Sequence, residues 1–379
     1  MHYQSTIFGQ LLKALPRRTF DRLSKARMLG RKKRCLSDWS HLVAMVFAQA
    51  SGSRSLRDLE RVVERQGGVN AHLGLDGLKR STLADANATR PAALFEDVAK
   101  LLAGQLSRGG KSNEIVRLID ATQFVASQKM VEWTGAGGIK LHMMYELGSE
   151  RPVCFAVTPQ NVNDIVMAKS MPIASEATYV FDKGYYSYDF WAKIDAAGSR
   201  FVTRLKCNSP IHVISEQSAE PDAGILRDVA GRLNERLKGT RQHPLPKPLR
   251  VIDVTITGGR TITLVSNDLT SPATEIADLY KRRWQIELFF KWIKQNLKLG
   301  HFLGHSRNAA IIQIMSALIV YMLIRITSLK VNATLGMQAS ARLAQAMLLA
   351  RRPITDIFKP PPKQVQNVFN QLDLWGQNA

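Results

Sequence analysis

Residues 280–294 read YKRRWQIELFFKWIK, a segment whose chemically able side chains are one carboxylate set among cations at helical spacing. At about 100° per residue, Tyr280, Arg283, Glu287, Lys291 and Lys294 fall on one face roughly 80° wide. Leu279, Ile286, Phe290, Ile293 and Leu297 form an adjoining apolar stripe. A single helix is predicted, packed by its apolar stripe and holding its charged one at the edge of a cleft. A solvated amphipathic helix would show the same outline, its Arg283–Glu287 pair contributing only about 0.2–0.5 kcal/mol.

Two more carboxylates have settings that call for explanation. Asp120 lies in IVRLIDATQF and Asp182 in TYVFDKGYY, each read as the end of an apolar strand. A strand buried on both faces excludes charge, so an aspartate at its end marks a turn or a site. Asp120, Asp182 and Glu287 brought together would offer hard oxygen ligands suited to Mg2+, with Mn2+ as a substitute. Two such ions about 4 Å apart could activate a nucleophilic oxygen and stabilise a leaving one in phosphodiester cleavage. Without metal the three acids repel, so at least one raised pKa is expected.

The elements that must position these residues can be read from patterning. Residues 1 to about 110 look helical and basic: SDWSHLVAMVFAQASGS and SLRDLERVVERQGG are predicted helices, and Ser81 is read as the cap of a short helix that ends before Pro91. That order resembles helix-turn-helix, making Lys79, Arg80, Ser81 and Asn87 candidates for DNA contact. From Glu114 come three strands, EIVRLIDATQFVAS, KLHMMYEL and PVCFAVTP, then helix, strand, helix and strand, ending in RFVTRLK. This is the order of an RNase H-like core, in which the first and fourth strands are neighbours. Arg204 and Lys206, alternating on the last of these strands, are candidate phosphate contacts. Lys140 and His142 lie on the second strand, and His142 is read as structural. A hairpin, VIDVTIT-GG-RTITLVSN, ends a polar, proline-dotted insertion.

Composition narrows the partner. The chain has 52 Lys and Arg against 31 Asp and Glu, a net +21, and its pI near 10.1 implies a polyanion such as nucleic acid. Residues 1–34 hold ten basic side chains and one acidic, Asp21. Cys35, Cys154 and Cys207 lack metal-ligand spacing and are read as reduced thiols of a cytoplasmic protein. No secretory segment is read at the N-terminus. Ala309–Ile326 approaches membrane-spanning length but includes Gln313, Ser316 and Arg325, so a buried core helix is predicted.

The spacing Y-x2-R-x3-E-x6-K over Tyr280, Arg283, Glu287 and Lys294, with DATQF and DKGYY upstream, resembles the transposases of bacterial insertion sequences, specifically the insertion sequence 4 family. The resemblance extends from KRSTLADANATRP to GHSRNAA. It implies an α/β, RNase H-like (retroviral-integrase-like) catalytic core with a β-rich insertion, preceded by a helical DNA-binding domain. Expected boundaries are 1–110 for the basic helical domain, 111–206 and 269–330 for the two parts of the core, 207–268 for the insertion and 331–379 for a C-terminal helical tail. It also implies Asp120, Asp182 and Glu287 as the catalytic and metal-holding triad, with Tyr280, Arg283 and Lys294 on DNA. Lys291 borders the same face. Trp284 is expected to pack against a neighbouring helix, with stacking on an unpaired base as the alternative.

The implied activity is cleavage at the ends of an element and joining of the 3′ ends to target DNA. Its partners are double-stranded DNA, both terminal inverted repeats and target, and a second copy in the synaptic complex, at the nucleoid and without a membrane. A silent DNA-binding remnant and an RNase H-like nuclease without strand transfer are the alternatives, with a membrane-associated basic protein behind them. The sequence departs from the family in one respect: no Phe, Tyr or Trp occurs between Cys207 and Asp268 to hold a flipped base.

Overall fold

The computed structural model describes residues 5–27, 36–66, 68, 71–75, 77–107, 114–135, 137–206, 209–233, 244–256, 258–296 and 302–359. The basic run Arg31–Arg34, Cys35, Cys207, Leu297 and the proline run after Lys359 lie outside them.

Six helices come first: α1 (Ile7–Leu12), α2 (Arg17–Arg27), α3 (Asp38–Ser51), α4 (Leu56–Arg65), α5 (Arg80–Thr89) and α6 (Ala93–Ser107). Local chemistry sets several of their ends. Ser37 accepts from the Ser40 amide at the start of α3, which Gly52 ends in the left-handed region at φ 68. Ser55 accepts from the Asp58 amide while Asp58 Oδ2 accepts from the Arg54 amide, a reciprocal closure of the first turn of α4. The cap of α5 is Lys79, without a side-chain bond, so Ser81 sits inside that helix rather than capping it.

The strands β1 (Ile115–Val125), β2 (Gly138–Glu146) and β3 (Arg151–Pro159) form an antiparallel meander, with a short helix α7 (Val131–Thr134) between the first two. Then follow α8 (Asp164–Ser170), β4 (Ala177–Phe181), α9 (Tyr188–Ala196) and β5 (Arg200–Arg204). β4 pairs parallel with β1 and β5 parallel with β4, giving the core order 3-2-1-4-5 that the pattern predicts.

The insertion extends this sheet rather than interrupting it. Its strands β6 (Ile211–Glu216), β7 (Ile225–Leu233), β8 (Leu249–Ile256) and β9 (Arg260–Ser266) run back so that β9 pairs antiparallel with β5, giving one nine-stranded sheet. The predicted hairpin is β8–β9, and Gly258 and Gly259 at its turn have φ of 91° and 73°, open to glycine without strain.

The chain then returns through α10 (Ala273–Arg282), α11 (Trp284–Asn296), α12 (Arg307–Lys330), α13 (Met337–Ala346) and α14 (Thr355–Phe358). The predicted single helix over 280–294 is in fact two. At Arg283 the bonds tighten to i→i−3, from the Arg283 amide to Tyr280 and from the Ile286 amide to Arg283. α12 is apolar nearly all round and lies inside the protein, packed on α3, α5, α6 and α13. It is the one described helix long and apolar enough to cross a bilayer, and most of its apolar window is buried in the fold, as a core helix requires.

Two charge clusters fasten the insertion. Arg200, the first residue of β5, reaches Glu114, Asp268 and Glu275 at 2.8, 2.8 and 3.6 Å, joining the start of β1, the exit of β9 and α10. Those bonds, with donation from Ser271 and Thr270, hold the Asp268 carboxyl well below the usual carboxylate range against the opposing effect of burial. Arg250 grips Asp228 in a two-pronged bond of 2.9 and 2.6 Å, with both side chains 3% exposed or less. Asp228→Ala would leave the guanidinium buried without its carboxylate, holding only the Ser271 carbonyl, and a loss of about 3–5 kcal/mol in chemical denaturation is expected. The double replacement Asp228→Leu with Arg250→Met should recover most of that loss.

Candidate active site

The register of the parallel pair creates the site. β1 and β4 pair from Ile115–Ala177 through Ile119–Phe181, and Asp120 and Asp182 are the next residue on each side. Asp120 therefore lies in the middle of β1, not at its end, since that strand runs on to Val125 against β2 alone. It stands instead where the parallel partner stops. Asp182 leaves β4 and caps the single turn Lys183–Tyr185, its Oδ1 accepting from the Lys183 amide at 2.7 Å.

The third wall is α11, which packs on β1. Leu279, Ile286, Phe290 and Ile293 are buried, the predicted apolar stripe, together with Phe289. The break at Arg283 aims its guanidinium inward: Nη2 meets Glu287 at 2.6 Å and Nη1 meets Asp120 at 3.5 Å. The Tyr280 hydroxyl donates to Asp182 at 3.4 Å. Arg283 and Tyr280, anticipated on DNA, are here engaged with the acids.

Burial dominates the electrostatics. The Asp120 carboxyl, 21% exposed, is pushed up to about 6, first by loss of water and less by repulsion from Glu287 and Asp182. The Ala121 amide and Arg283 oppose that rise. Repulsion among the acids, the cause expected from sequence, is thus the smaller effect. The Arg283 guanidinium is raised, because Tyr280, Glu287 and Asp120 outweigh its own burial.

The other sequence candidates scatter. Lys294 lies over the Phe124 ring at 5.5 Å, beside the tail of β1, and burial lowers its pKa. Trp284 does not pack as expected: it is 56% exposed on the outer side of α11, and Lys291 is exposed too. Arg204 is half-buried near enough to Tyr280 to act on its charge, while Lys206 covers the Tyr186 ring at 4.6 Å. Lys79 is exposed, and Arg80 lines an open groove with Ser55, Arg57, Ser81 and Leu303. Asn87 is buried, its oxygen facing His41 Nε2 at 2.8 Å, so it cannot touch DNA.

Sequence reading passed over Asp164 and Tyr185, which lie beside the site with Lys140 and His142. Lys140 and His142 meet Asp164 at 2.9 and 3.5 Å, and Tyr185 is buried in the turn that follows Asp182. Desolvation takes His142 down to about 4, so it stays neutral near pH 7. The only signal in the sequence was the aromatic pair of DKGYY.

The acids at Asp120, Asp182 and Glu287 supply only oxygen, the donor type that hard divalent cations take. Among the described residues no three acidic, histidine or cysteine side chains are already gathered for a metal, and Arg283 stands between Asp120 and Glu287. Its Nε is buried without a hydrogen-bond partner among the described residues. A cation that displaced it would meet the Asp120 and Glu287 carboxylates that the guanidinium now bridges.

A mixed sheet of core order 3-2-1-4-5, with acids beyond the paired ends of β1 and β4, is consistent with the RNase H-like core of enzymes that cut and join phosphodiesters. Residues 111–323 match the transposase DDE domain, and residues 3–76 match a domain of unknown function. The chain belongs to the DDE transposase family, and it is an enzyme of insertion sequence elements. The protein named transposase y4zB in Sinorhizobium fredii is 40% identical over 74% of this chain and 80% of its own length. A transposase named for insertion sequence element IS5377 in Geobacillus stearothermophilus is 27% identical over 55% of this chain and 56% of its own. Among solved structures, a piggyBac transposase synaptic complex with hairpin DNA matches 90% of this chain and 78% of that one at 11% identity and a TM-score of 0.45.

Because the Asp120 carboxyl titrates near 6 when folded and near 3.8 otherwise, protonation favours the fold. That contribution is fully present below about pH 4 and is lost as pH rises through 6. In EDTA, Asp120→Asn should therefore exceed wild type in stability by roughly 1–3 kcal/mol above pH 7, the gap closing near pH 4. Equal denaturation midpoints at pH 7.5 would remove the buried-charge account.

Proposed function

We propose that this is a transposase of the insertion sequence 4 type, with Asp120, Asp182 and Glu287 as its catalytic and metal-holding triad. The observation that carries the reading is that Tyr280 meets Asp182 and Arg283 bridges Asp120 and Glu287, joining one helical segment to two aspartates far away in the sequence. The carboxylates fit two Mg2+ ions, or Mn2+ in their place, which would activate the attacking oxygen and neutralise the departing one. In nicking, a water oxygen replaces the 3′ oxygen on phosphorus. In joining, the freed 3′ hydroxyl replaces the 3′ oxygen of a target strand.

The chain's own residues prepare those exchanges. Arg283 bridges Asp120 and Glu287 until metal and DNA arrive, and it then turns to a phosphate oxygen. Tyr280 steadies Asp182. Lys294 and Arg204 flank the site as phosphate contacts, Lys291 extends the cationic edge, and exposed Trp284 offers a stacking surface for an unpaired base. Lys79 and Arg80, joined by Arg57 in the open groove, hold the terminal repeat by its backbone. Residues 1–110 serve as the DNA-binding domain, 111–206 and 269–330 as the catalytic core, 207–268 as its insertion and 331–379 as a tail. Two element ends must be paired before strand transfer, so the working form is a homodimer on DNA in the cytoplasm, at the nucleoid.

The test sets wild type against Glu287→Gln on a duplex bearing the element's own terminal repeat, with Mg2+ and a target plasmid. Both should bind within about twofold, while nicking and joining fall more than about 100-fold in the variant. Binding with no cleavage by either protein in Mg2+ or Mn2+ would make the chain a DNA-binding remnant. Cleavage without joining would make it a nuclease.

A further inference from the structure

Behind the acids, on the α8 side of the sheet, lies a second polar cluster that the triad does not use. Tyr185 is 3% exposed, and its hydroxyl has no hydrogen-bond partner among the described residues. Its backbone amide donates to the Asp182 carbonyl at 3.0 Å, so the ring is tied to the turn that Asp182 caps. α8, which carries Asp164, packs on that turn and on β1 and β2. Burial pushes the Tyr185 phenol well above its ordinary range, and the charges of Asp120, Asp164 and Asp182 push it further. The hydroxyl is thus a buried O–H donor that feels the charge of three carboxylates.

Of these three, Asp164 is already held, facing the Lys140 ammonium at 2.9 Å and His142 at 3.5 Å, while Lys140 also donates to the Val162 carbonyl at 3.0 Å. His142 is fixed in turn by Thr158 at 2.8 Å. With Asp164 engaged in that group, Asp120 and Asp182 are the remaining carboxylates whose charge the hydroxyl feels. A buried hydroxyl left unpaired is costly, and native proteins seldom keep one without a use.

We propose that Tyr185 is a positioning residue for the metal site, donating its hydroxyl proton to the carboxylate oxygen of Asp182 or Asp120 that faces away from the metal. Resting on the triad reading, this adds to it a partner behind the ligands that orients them and sets their affinity. Removing such a partner typically weakens metal binding about 10- to 100-fold.

The test measures Mn2+ binding to the full chain without DNA, for wild type, Tyr185→Phe and Asp182→Asn, with thermal midpoints in EDTA and in saturating Mn2+. Tyr185→Phe should keep or raise the midpoint in EDTA, since it removes only an unpaired hydroxyl. It should bind Mn2+ about 10-fold more weakly and show a smaller Mn2+-induced rise in midpoint. In cleavage, the Mg2+ concentration for half-maximal rate should rise more than the maximal rate falls. A merely structural tyrosine would lower the midpoint in EDTA and leave metal affinity unchanged. Wild-type Mn2+ affinity in Tyr185→Phe beside a clear loss in Asp182→Asn overturns the inference alone. Wild-type affinity in both variants overturns the triad reading and the inference with it.

Discussion

The site depends on placing a carboxylate where water is scarce. Asp120 follows the last residue of β1 that pairs with β4, and Asp182 follows the last residue of β4. Parallel strands in register necessarily deliver the two acids to the same height and the same side. What offsets that charge is Arg283, a guanidinium that cannot lose its own at ordinary pH and whose fork reaches Asp120 and Glu287 at once, while the Tyr280 hydroxyl serves Asp182. The break between α10 and α11 follows from the same demand, because a continuous helix would hold Arg283 on the line of its neighbours rather than turned inward.

Much of this was legible in the residues. The apolar stripe of α11, the helices that follow Ser37 and Ser55, the Gly-Gly hairpin and the three strands followed by alternating helix and strand all rest on local patterning, which the chain states plainly. Asp120 and Asp182 stood out because charge at an apolar strand is expensive wherever it occurs. The remainder depended on tertiary neighbours. Asn87 looked available to DNA because a polar residue on a short helix usually is, yet α5 turns it toward His41. Trp284 looked like a packing residue because tryptophan usually is, yet its face of α11 has no layer above it. Nothing in the segment 280–294 announced the tightening at Arg283, whose guanidinium meets an acid on β1 far away in the sequence.

α12 gives these parts a common frame. It is buried almost from end to end, and its head holds Asn308, whose side chain accepts from the Ala92 amide and donates to the carbonyls of Asn87 and Arg90. Those three bonds lock the turn between α5 and α6 to the chain that has just left α11. Leu303, in the same stretch, lines the groove with Arg57 and Arg80. The N-terminal helices and the catalytic helix thus share an anchor, and movement of one is constrained by the other.

The nine-stranded sheet also has a direction of growth. With β9 seated on β5, β1 and β4 are covered on that side, and among the described residues the outer edge of the insertion is β6, three strands further out. Length or sequence added at β6 need not disturb the alignment of β1 with β4. The strands that carry Asp120 and Asp182 are thus interior to the sheet, shielded on one side by β5 and the whole inserted ladder and on the other by the β2–β3 meander, so a disturbance at either margin has to cross several hydrogen-bonded strands before it reaches them.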